Sequence, residues 1–168
     1  MKMRWKPHGF CSAWTGRKIH ESGRNLKEKY LGVDFGDART GLAAADDDSL
    51  FAVGAGCIHS GNLRKTAEET AAYAAEHGIT RIIIGKPLNM NGTEGPRCAR
   101  VSAFAALVTE LSGIPCELFD ERLTTVSAHR YLSDSGVHGK KRKDSVDELS
   151  ATLILQDYLD RKKNRQQK

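Results

Sequence analysis

Residues 30–45 leave few possible folds for the chain. They read YLGVDFGDARTGLAAA: an apolar run, a short turn with glycine and aspartate, and a second apolar run. This pattern predicts two antiparallel strands joined by a tight turn. The first strand carries one carboxylate, Asp34, although an unpaired ion inside a sheet is costly. Asp34 is therefore either a metal ligand that opens into a site or a turn residue that caps its own backbone.

The rest of the chain continues as mixed α/β structure. Apolar residues alternate between strand-like runs and helical stripes, with glycine and proline at the boundaries. Further strands are predicted near residues 50–59, 81–85 and 116–119, and helices near 63–76, 97–111, 126–133 and 145–161. This order predicts a mixed five-stranded sheet flanked by helices, in which an antiparallel three-strand meander is followed by parallel strands.

Length and composition exclude several classes of protein. The 168 residues are enough for one domain with its own core. No apolar run approaches the roughly 18 residues that cross a membrane, and the basic N-terminus lacks the apolar core of a signal peptide. The four cysteines are scattered and form no CxxC pair, which argues against a zinc site or a disulfide framework. We expect a cytoplasmic protein with reduced thiols.

The net charge of +5 is unevenly distributed. Residues 1–30 carry +6 and residues 161–168 carry +5, which leaves −6 for the part between them. We predict a basic, disordered arm over residues 1–29, a single domain over 30–160 and a basic tail over 161–168. An acidic body with basic ends suits a carboxylate site that acts on a polyanion, although basic tails also serve solubility alone.

Two further carboxylates occupy positions that suit a shared site with Asp34. Glu121 follows the strand at 116–119 in the run DERLTT, and Asp147 lies in the first turn of the last helix. Glu121 could equally belong to a helix-capping box, and Asp147 could interact with the dipole at the start of its helix. Scattered carboxylates without thiol or imidazole partners suit Mg²⁺ or Mn²⁺. Two such ions would activate a water and stabilise the leaving oxygen of a phosphodiester.

Four sequence blocks carry a resemblance to the YqgF/RuvX family, which lies within the RNase H-like superfamily together with the RuvC resolvase. The blocks are LGVDFG followed by RTG in residues 31–41, IGKPLNMNG in 84–92, FDERLTT in 119–125, and the segment from Val146 to Leu155. The resemblance implies an RNase H-like fold and a divalent-metal nuclease. It suggests maturation of the 5′ end of 16S ribosomal RNA, or resolution of Holliday junctions.

The resemblance also implies roles for individual residues. Asp34, Glu121 and Asp147 would be the catalytic and metal-binding acids, with Asp120 and Asp144 as fallbacks for the last two. A set of cationic and amide side chains would hold phosphates of the substrate. This set comprises Arg39, Asn89, Arg122, Lys140, Lys141, Arg142 and Lys143. Residues 140–143 are expected to form a mobile loop, because their like charges repel.

Several functions remain open from the sequence. The leading hypothesis is a cytoplasmic nuclease of precursor 16S rRNA, a monomer or homodimer that acts on a ribosomal subunit precursor. A Holliday junction resolvase keeps the chemistry but needs a dimer for symmetrical cleavage. A non-catalytic assembly factor would bind rRNA even with its acids neutralised. An actin-like ATPase fragment shares the Gly-x-Asp-x-Gly strand, but the chain is short for the two domains of that fold.

Overall fold

The structure is a computed structural model that describes residues 27–49, 51–88, 92–120 and 140–166, with side chains of the last segment from residue 146 to residue 165. The predicted helix over residues 126–133 lies outside the described residues. The elements, in chain order, are β1 (Lys29–Phe35), β2 (Arg39–Asp46), β3 (Val53–His59), α1 (Leu63–His77), β4 (Arg81–Lys86), α2 (Pro96–Ser112), β5 (Cys116–Asp120) and α3 (Lys140–Gln166).

The five strands form one mixed sheet in the order β3-β2-β1-β4-β5. β1, β2 and β3 pair antiparallel as a meander, whereas β4 pairs parallel with both β1 and β5. The return from β1 to β4 and from β4 to β5 requires crossovers, and α1 and α2 provide them. The predicted RNase H-like arrangement, a three-strand meander followed by parallel strands, is confirmed.

Local signals in the sequence set the helix ends. The Asn62 side chain accepts a hydrogen bond from the backbone N–H of Lys65 and thereby caps α1. Gly78 ends α1 and Gly113 ends α2, both in the left-handed conformation that glycine adopts without strain. α2 opens on Pro96, whose missing N–H is not needed at a helix start.

The sheet separates two apolar clusters. Leu31, Val33 and Phe35 of β1 face α1 and α2, whereas Tyr30 faces α3, as the two-residue alternation of a strand requires. β4 is apolar on both faces, and its Ile82, Ile83 and Ile84 are fully buried. The prediction of a central strand here is confirmed, because only a strand covered on both sides buries consecutive residues.

The last helix differs from its prediction. α3 begins at Lys140 and continues to Gln166, so residues 140–143 are helical and the expected loop is wrong. Lys and Arg are good helix formers, and this propensity outweighs their mutual repulsion over a single turn. The sequence predicts an inward apolar face of seven residues, and the structure buries three of them, Ala151, Ile154 and Leu155, together with Leu159. The other four are only half-buried: Val146, Leu149, Leu153 and Tyr158.

None of the described helices combines the length and the apolar character needed to cross a bilayer.

Candidate active site

Three glycines of the sheet allow α3 to lie close to β1, β2 and β3, with its backbone against Gly32 and Gly41 and a side chain against Gly54. A Cβ atom at Gly32 would lie 2.6 Å from Cβ of Leu155, closer than real Cβ atoms approach one another. At Gly41 it would overlap the carbonyl oxygen of Asp147, and at Gly54 it would overlap the side chain of Glu148. We call Gly32, Gly41 and Gly54 the glycine cradle. The cradle fixes the height of the N-terminal half of α3 above the sheet.

This cradle brings the carboxylates of Asp34 and Asp147 together. Asp34 pairs directly with Gly41 across the β1–β2 ladder, and the backbone of Asp147 rests on Gly41. Burial raises the pKa of Asp34, and the nearby charge of Asp147 raises it further, to about 6 from an ordinary value of 3.8. The electrostatic coupling shows that two acids 113 positions apart in sequence share one neighbourhood. Like charges held this close make a site that favours a cation.

Arg39 supplies one positive charge to the pair. Its Nε donates a hydrogen bond to Oδ2 of Asp147 at 2.5 Å, and both side chains are partly buried. Arg39 lies two residues before Gly41 on β2, so both face α3. The start of β2 therefore places an arginine at the same end of the sheet as Asp34.

Ser150 and Arg97 lower the pKa of Asp34, whereas burial raises it. A hydrogen bond from Ser150 and the charge of Arg97 both lower the pKa of Asp34, although less than burial raises it. Ser150 lies three residues after Asp147, on the same face of α3. Arg97 is exposed in the first turn of α2. These groups hold the partly buried carboxylate in a polar environment without cancelling its raised pKa.

Exposed arginines border the site on the α2 side. Nη1 of Arg100 lies 2.7 Å from Oδ1 of Asp37 in the β1–β2 turn, and Arg97 lies one turn earlier in α2. Sequence reasoning missed Arg97, Arg100 and Ser150. A usable signal existed for the arginines, because α2 begins after the loop that follows central strand β4, where ligands meet an α/β sheet.

Asp120, one of the fallback acids, lies on the other face of the sheet. Phe119 packs in the α3-side cluster, so alternation turns Asp120 toward α2. Asp120 pairs in register with Lys86, and hydrogen bonding to Glu94 raises the pKa of Lys86, with a smaller contribution from Asp120. The structure therefore does not bring Asp120 to Asp34.

The other predicted site residues lie wholly or partly outside the described residues. Asn89, Glu121 and Arg122 lie outside the described residues. The other five lie in the first two turns of α3, directly before Asp147, and their side chains are outside the described part. They are Lys140, Lys141, Arg142, Lys143 and Asp144.

The described acids fit part of a divalent metal site. The repulsion between Asp34 and Asp147 is what a hard cation with oxygen ligands would relieve. Within residues 27–49, 51–88, 92–120 and 146–165, no group of three or more His, Cys, Asp or Glu side chains is placed to hold a metal ion. A third acidic, histidine or cysteine ligand would therefore come from a residue beyond these ranges.

Comparison with known proteins agrees with this geometry. The family model RuvX, described as "Holliday junction resolvase", matches residues 28–161. A relative from Ruminiclostridium cellulolyticum, named "Putative pre-16S rRNA nuclease", is 43% identical over 79% of this chain and 94% of its own length. A relative of the same name from Carboxydothermus hydrogenoformans is 42% identical over 80% of this chain and 97% of its own length.

A solved structure found by the comparison is much less similar in sequence. The fowlpox virus resolvase in complex with Holliday junction DNA is 12% identical, covers 78% of this chain and 98% of its own, and has a TM-score of 0.47. The family match and the relatives, by contrast, span nearly the whole described fold. The chain belongs to the RuvX family.

Proposed function

We propose that the chain is a divalent-metal-dependent endonuclease that hydrolyses phosphodiester bonds. The single observation that carries the proposal is the pairing of Asp34 and Asp147 on the glycine cradle, where burial and, to a smaller extent, the charge of Asp147 raise the pKa of Asp34 to about 6. A structural acid pair has no reason to be kept so close, because the repulsion lowers the stability of the fold. If the two carboxylates bind Mg²⁺ or Mn²⁺, the cation offsets their repulsion and explains why they lie close together.

Each residue of the site has a distinct role in this proposal. Asp34 and Asp147 would hold the metal, and Glu121 would complete the set, as the family resemblance suggests. When bound, the metal supplies an activated water and neutralises charge on the leaving oxygen. Ser150 orients the carboxylate of Asp34, and Arg39 orients that of Asp147. A site of two metal ions remains part of the proposal.

Cations on two sides of the acid pair would bind the nucleic-acid backbone. Arg97 and Arg100 border the site from α2. The basic run of residues 140–143 occupies the start of α3, within two turns of Asp147. Asn89 and Arg122 would add contacts from the segments that follow β4 and β5. Backbone contacts of this kind position a substrate without reading its sequence.

The substrate that we propose is precursor 16S rRNA, cleaved near its 5′ end in the cytoplasm. The names of the two relatives support this choice. The second candidate is a Holliday junction, and the description of the family model favours it. A junction resolvase would need a dimer to cut two strands symmetrically, whereas an rRNA nuclease can act as a monomer.

Cleavage of precursor 16S rRNA by the purified protein, with Mg²⁺ or Mn²⁺ and with chelator, tests the proposal. Asp34→Asn and Asp147→Asn should each reduce the rate by more than about 100-fold, beyond the usual effect of outer-shell metal partners. Asp160→Asn, an exposed acid near the other end of α3, is the matched control. Unchanged cleavage by Asp34→Asn would refute the mechanism, and faster cleavage of a four-way junction at the same salt concentration would favour the second candidate.

A further inference from the structure

An apolar groove lies between α1 and the β2–β3 pair, on the sheet face opposite Asp34 and Asp147. We call it the α1 groove, and its volume is about 290 Å³. Leu42 and Ile58 line it from the sheet, and Tyr73 and His77 line it from α1, with their rings stacked at 3.9 Å between centroids. This lining is suited to a bulky apolar side chain, because it offers aliphatic and aromatic surface together.

Two carboxylates complete the lining of the α1 groove. Glu69 and Glu76 belong to the same face of α1 as Tyr73, at helical spacing. Burial raises the pKa of Tyr73, and the charge of Glu76 raises it further, which places that carboxylate close to the phenol. Glu69 also pairs with Lys65 one turn earlier, at 3.9 Å between Nζ and Oε1, in a long and partly exposed ion pair that another cation can replace. An apolar groove with acidic side chains suits a basic segment that carries large apolar residues.

The chain itself contains such a segment. Residues 1–26 hold six Lys or Arg and one acid, together with Trp5, Phe10 and Trp14. No other stretch of the chain combines this excess of positive charge with tryptophan, since both tryptophans lie here. The composition of this segment therefore complements the α1 groove in both charge and apolar surface.

The described chain begins at the end of the sheet where α1 finishes. The backbone N–H of Thr80, two residues after the glycine cap of α1, donates to the carbonyl of Lys29 at 2.9 Å. Trp14 precedes Lys27 by 13 residues, which span up to ~43 Å when extended. α1 has 15 residues and is therefore about 22 Å long. The segment can reach any point of the groove.

We propose that the α1 groove binds the chain's own N-terminal segment, residues 1–26, with a tryptophan side chain lying in the groove against Tyr73, Leu42 and Ile58. Lysines and arginines of the segment then lie near Glu69 and Glu76. Attachment to the same chain gives an effective concentration in the millimolar range, so a weak contact is enough to keep the groove occupied. The interaction is independent of the proposed nuclease activity.

Intrinsic tryptophan fluorescence of the full chain tests this directly, because Trp5 and Trp14 are its only tryptophans. The emission should be shifted to shorter wavelength, and quenching by acrylamide reduced at least twofold, relative to a free peptide of residues 1–26. The double variant Glu69→Lys/Glu76→Lys should move both readings toward those of the peptide. Glu68→Lys makes the same charge change at an exposed residue of α1 outside the groove, where Glu68 pairs with Arg64, and should leave both unchanged.

Other results would overturn the proposal. Identical emission and quenching for the full chain and the free peptide would show that the tryptophans stay in water. Protection that disappears on dilution would assign the groove to a second copy of the chain instead. If the double variant does not fold, about 1 M salt applied to the unmodified protein replaces it, because charges are then screened beyond ~3 Å. Protection must weaken under that condition, and protection unaffected by salt would remove the acidic side chains from the interaction.

Discussion

The two ends of α3 contact the sheet through opposite electrostatic arrangements. Near its C-terminal end, Nζ of Lys162 lies 2.7 Å from Oε2 of Glu28 and 3.0 Å from Oδ1 of Asp47, and it also contacts the hydroxyl of Tyr30. We call these four residues the lysine anchor. Near the N-terminal end, Asp147 instead approaches another acid, Asp34.

The pKa values of the two ends move in opposite directions. In the lysine anchor, hydrogen bonds from Lys162 and Tyr30 lower the pKa of Glu28 to about 2, so the fold favours its ionised form. At the other end, burial and Asp147 raise the pKa of Asp34 to about 6, so the fold disfavours its ionised form. The anchor therefore stabilises the fold at neutral pH, whereas the acid pair is retained at a cost in stability. Such a cost is expected at a functional site.

The largest effect should follow from Gly41→Ala. The new methyl group would overlap the backbone of Asp147, which cannot rotate away as a side chain can. We expect a loss of about 3 kcal/mol or more in the free energy of unfolding, at the upper end of overpacking effects, and loss of cleavage with it. Urea denaturation measures the change. Gly61→Ala, where the nearest atom to the new Cβ would be 3.6 Å away, is the control and should change stability little. Equal stability of the two variants would show that the cradle does not position α3.

The second effect concerns pH. Because the folded pKa of Asp34 lies above its ordinary value, the folded state binds more protons, and stability falls as pH rises from about 4 to about 6. Asp34→Asn removes this loss and should be more stable than the parent above pH 6, by roughly 3 kcal/mol, the free energy that corresponds to the rise in pKa from 3.8 to about 6. Denaturation in chelator between pH 4 and pH 8 measures the difference. A constant offset between the two proteins across that range would contradict the prediction.

The third effect removes the lysine anchor. Lys162→Met keeps the apolar stem but leaves Glu28 and Asp47 without the ammonium group, and we expect a loss of about 1 kcal/mol, because both carboxylates are more than a third exposed and solvent screens the ion pairs. Glu28 contributes its stabilisation above pH 4.5 and loses it as the pH falls toward 2, so the variant should differ least in acid. Lys163→Met is the neighbouring control. In the parent, Nζ of Lys163 donates a hydrogen bond of 3.3 Å to the carbonyl oxygen of Ser49. Cleavage should be retained in both; a parallel loss of cleavage in Lys162→Met would show that the two ends are coupled.

The smallest effect is on metal affinity. Arg39 occupies one oxygen of Asp147, so Arg39→Gln should bind Mn²⁺ several-fold more tightly while it cleaves more slowly. Several-fold corresponds to about 1 kcal/mol, the size of one partly exposed ion pair. Calorimetric titration without nucleic acid separates this effect from catalysis. Arg64→Gln, an exposed ion pair on α1, is the comparison. Weaker Mn²⁺ binding by Arg39→Gln would mean that the arginine supports the metal site and does not compete with it.

Much of the fold was predictable because local signals agree with the packing. Asn62, Gly78 and Gly113 mark helix ends through backbone geometry that is encoded within a few residues. The start of α3 was not predictable in this way. The mutual repulsion of its four consecutive cations favours a loop, whereas the helix propensity of Lys and Arg favours a helix. Ala151 and Leu155, further along the same helix, pack on the sheet and favour the helix.

The candidate site was predictable only in part. Asp34 and Asp147 were identified from their sequence blocks, and the structure does bring them together, although their role in catalysis stays a proposal. Arg97 and Ser150 join Asp34 only through the packing of α2 and α3, which no local pattern reveals. The orientation of Asp120 could have been predicted by counting in steps of two from the buried Phe119 once the end of β5 was fixed.

The glycine cradle has a consequence for how substitutions are tolerated. Where a helix rests on side chains, a change in one partner can be offset by a change in the other. Above Gly41 the helix presents its backbone, which is the same whatever residue occupies position 147 or 148. No second-site replacement in α3 can therefore make room for a larger residue there. In a randomised library selected for folding, we expect position 41 to stay glycine in nearly every survivor, while the exposed positions of α3 vary freely.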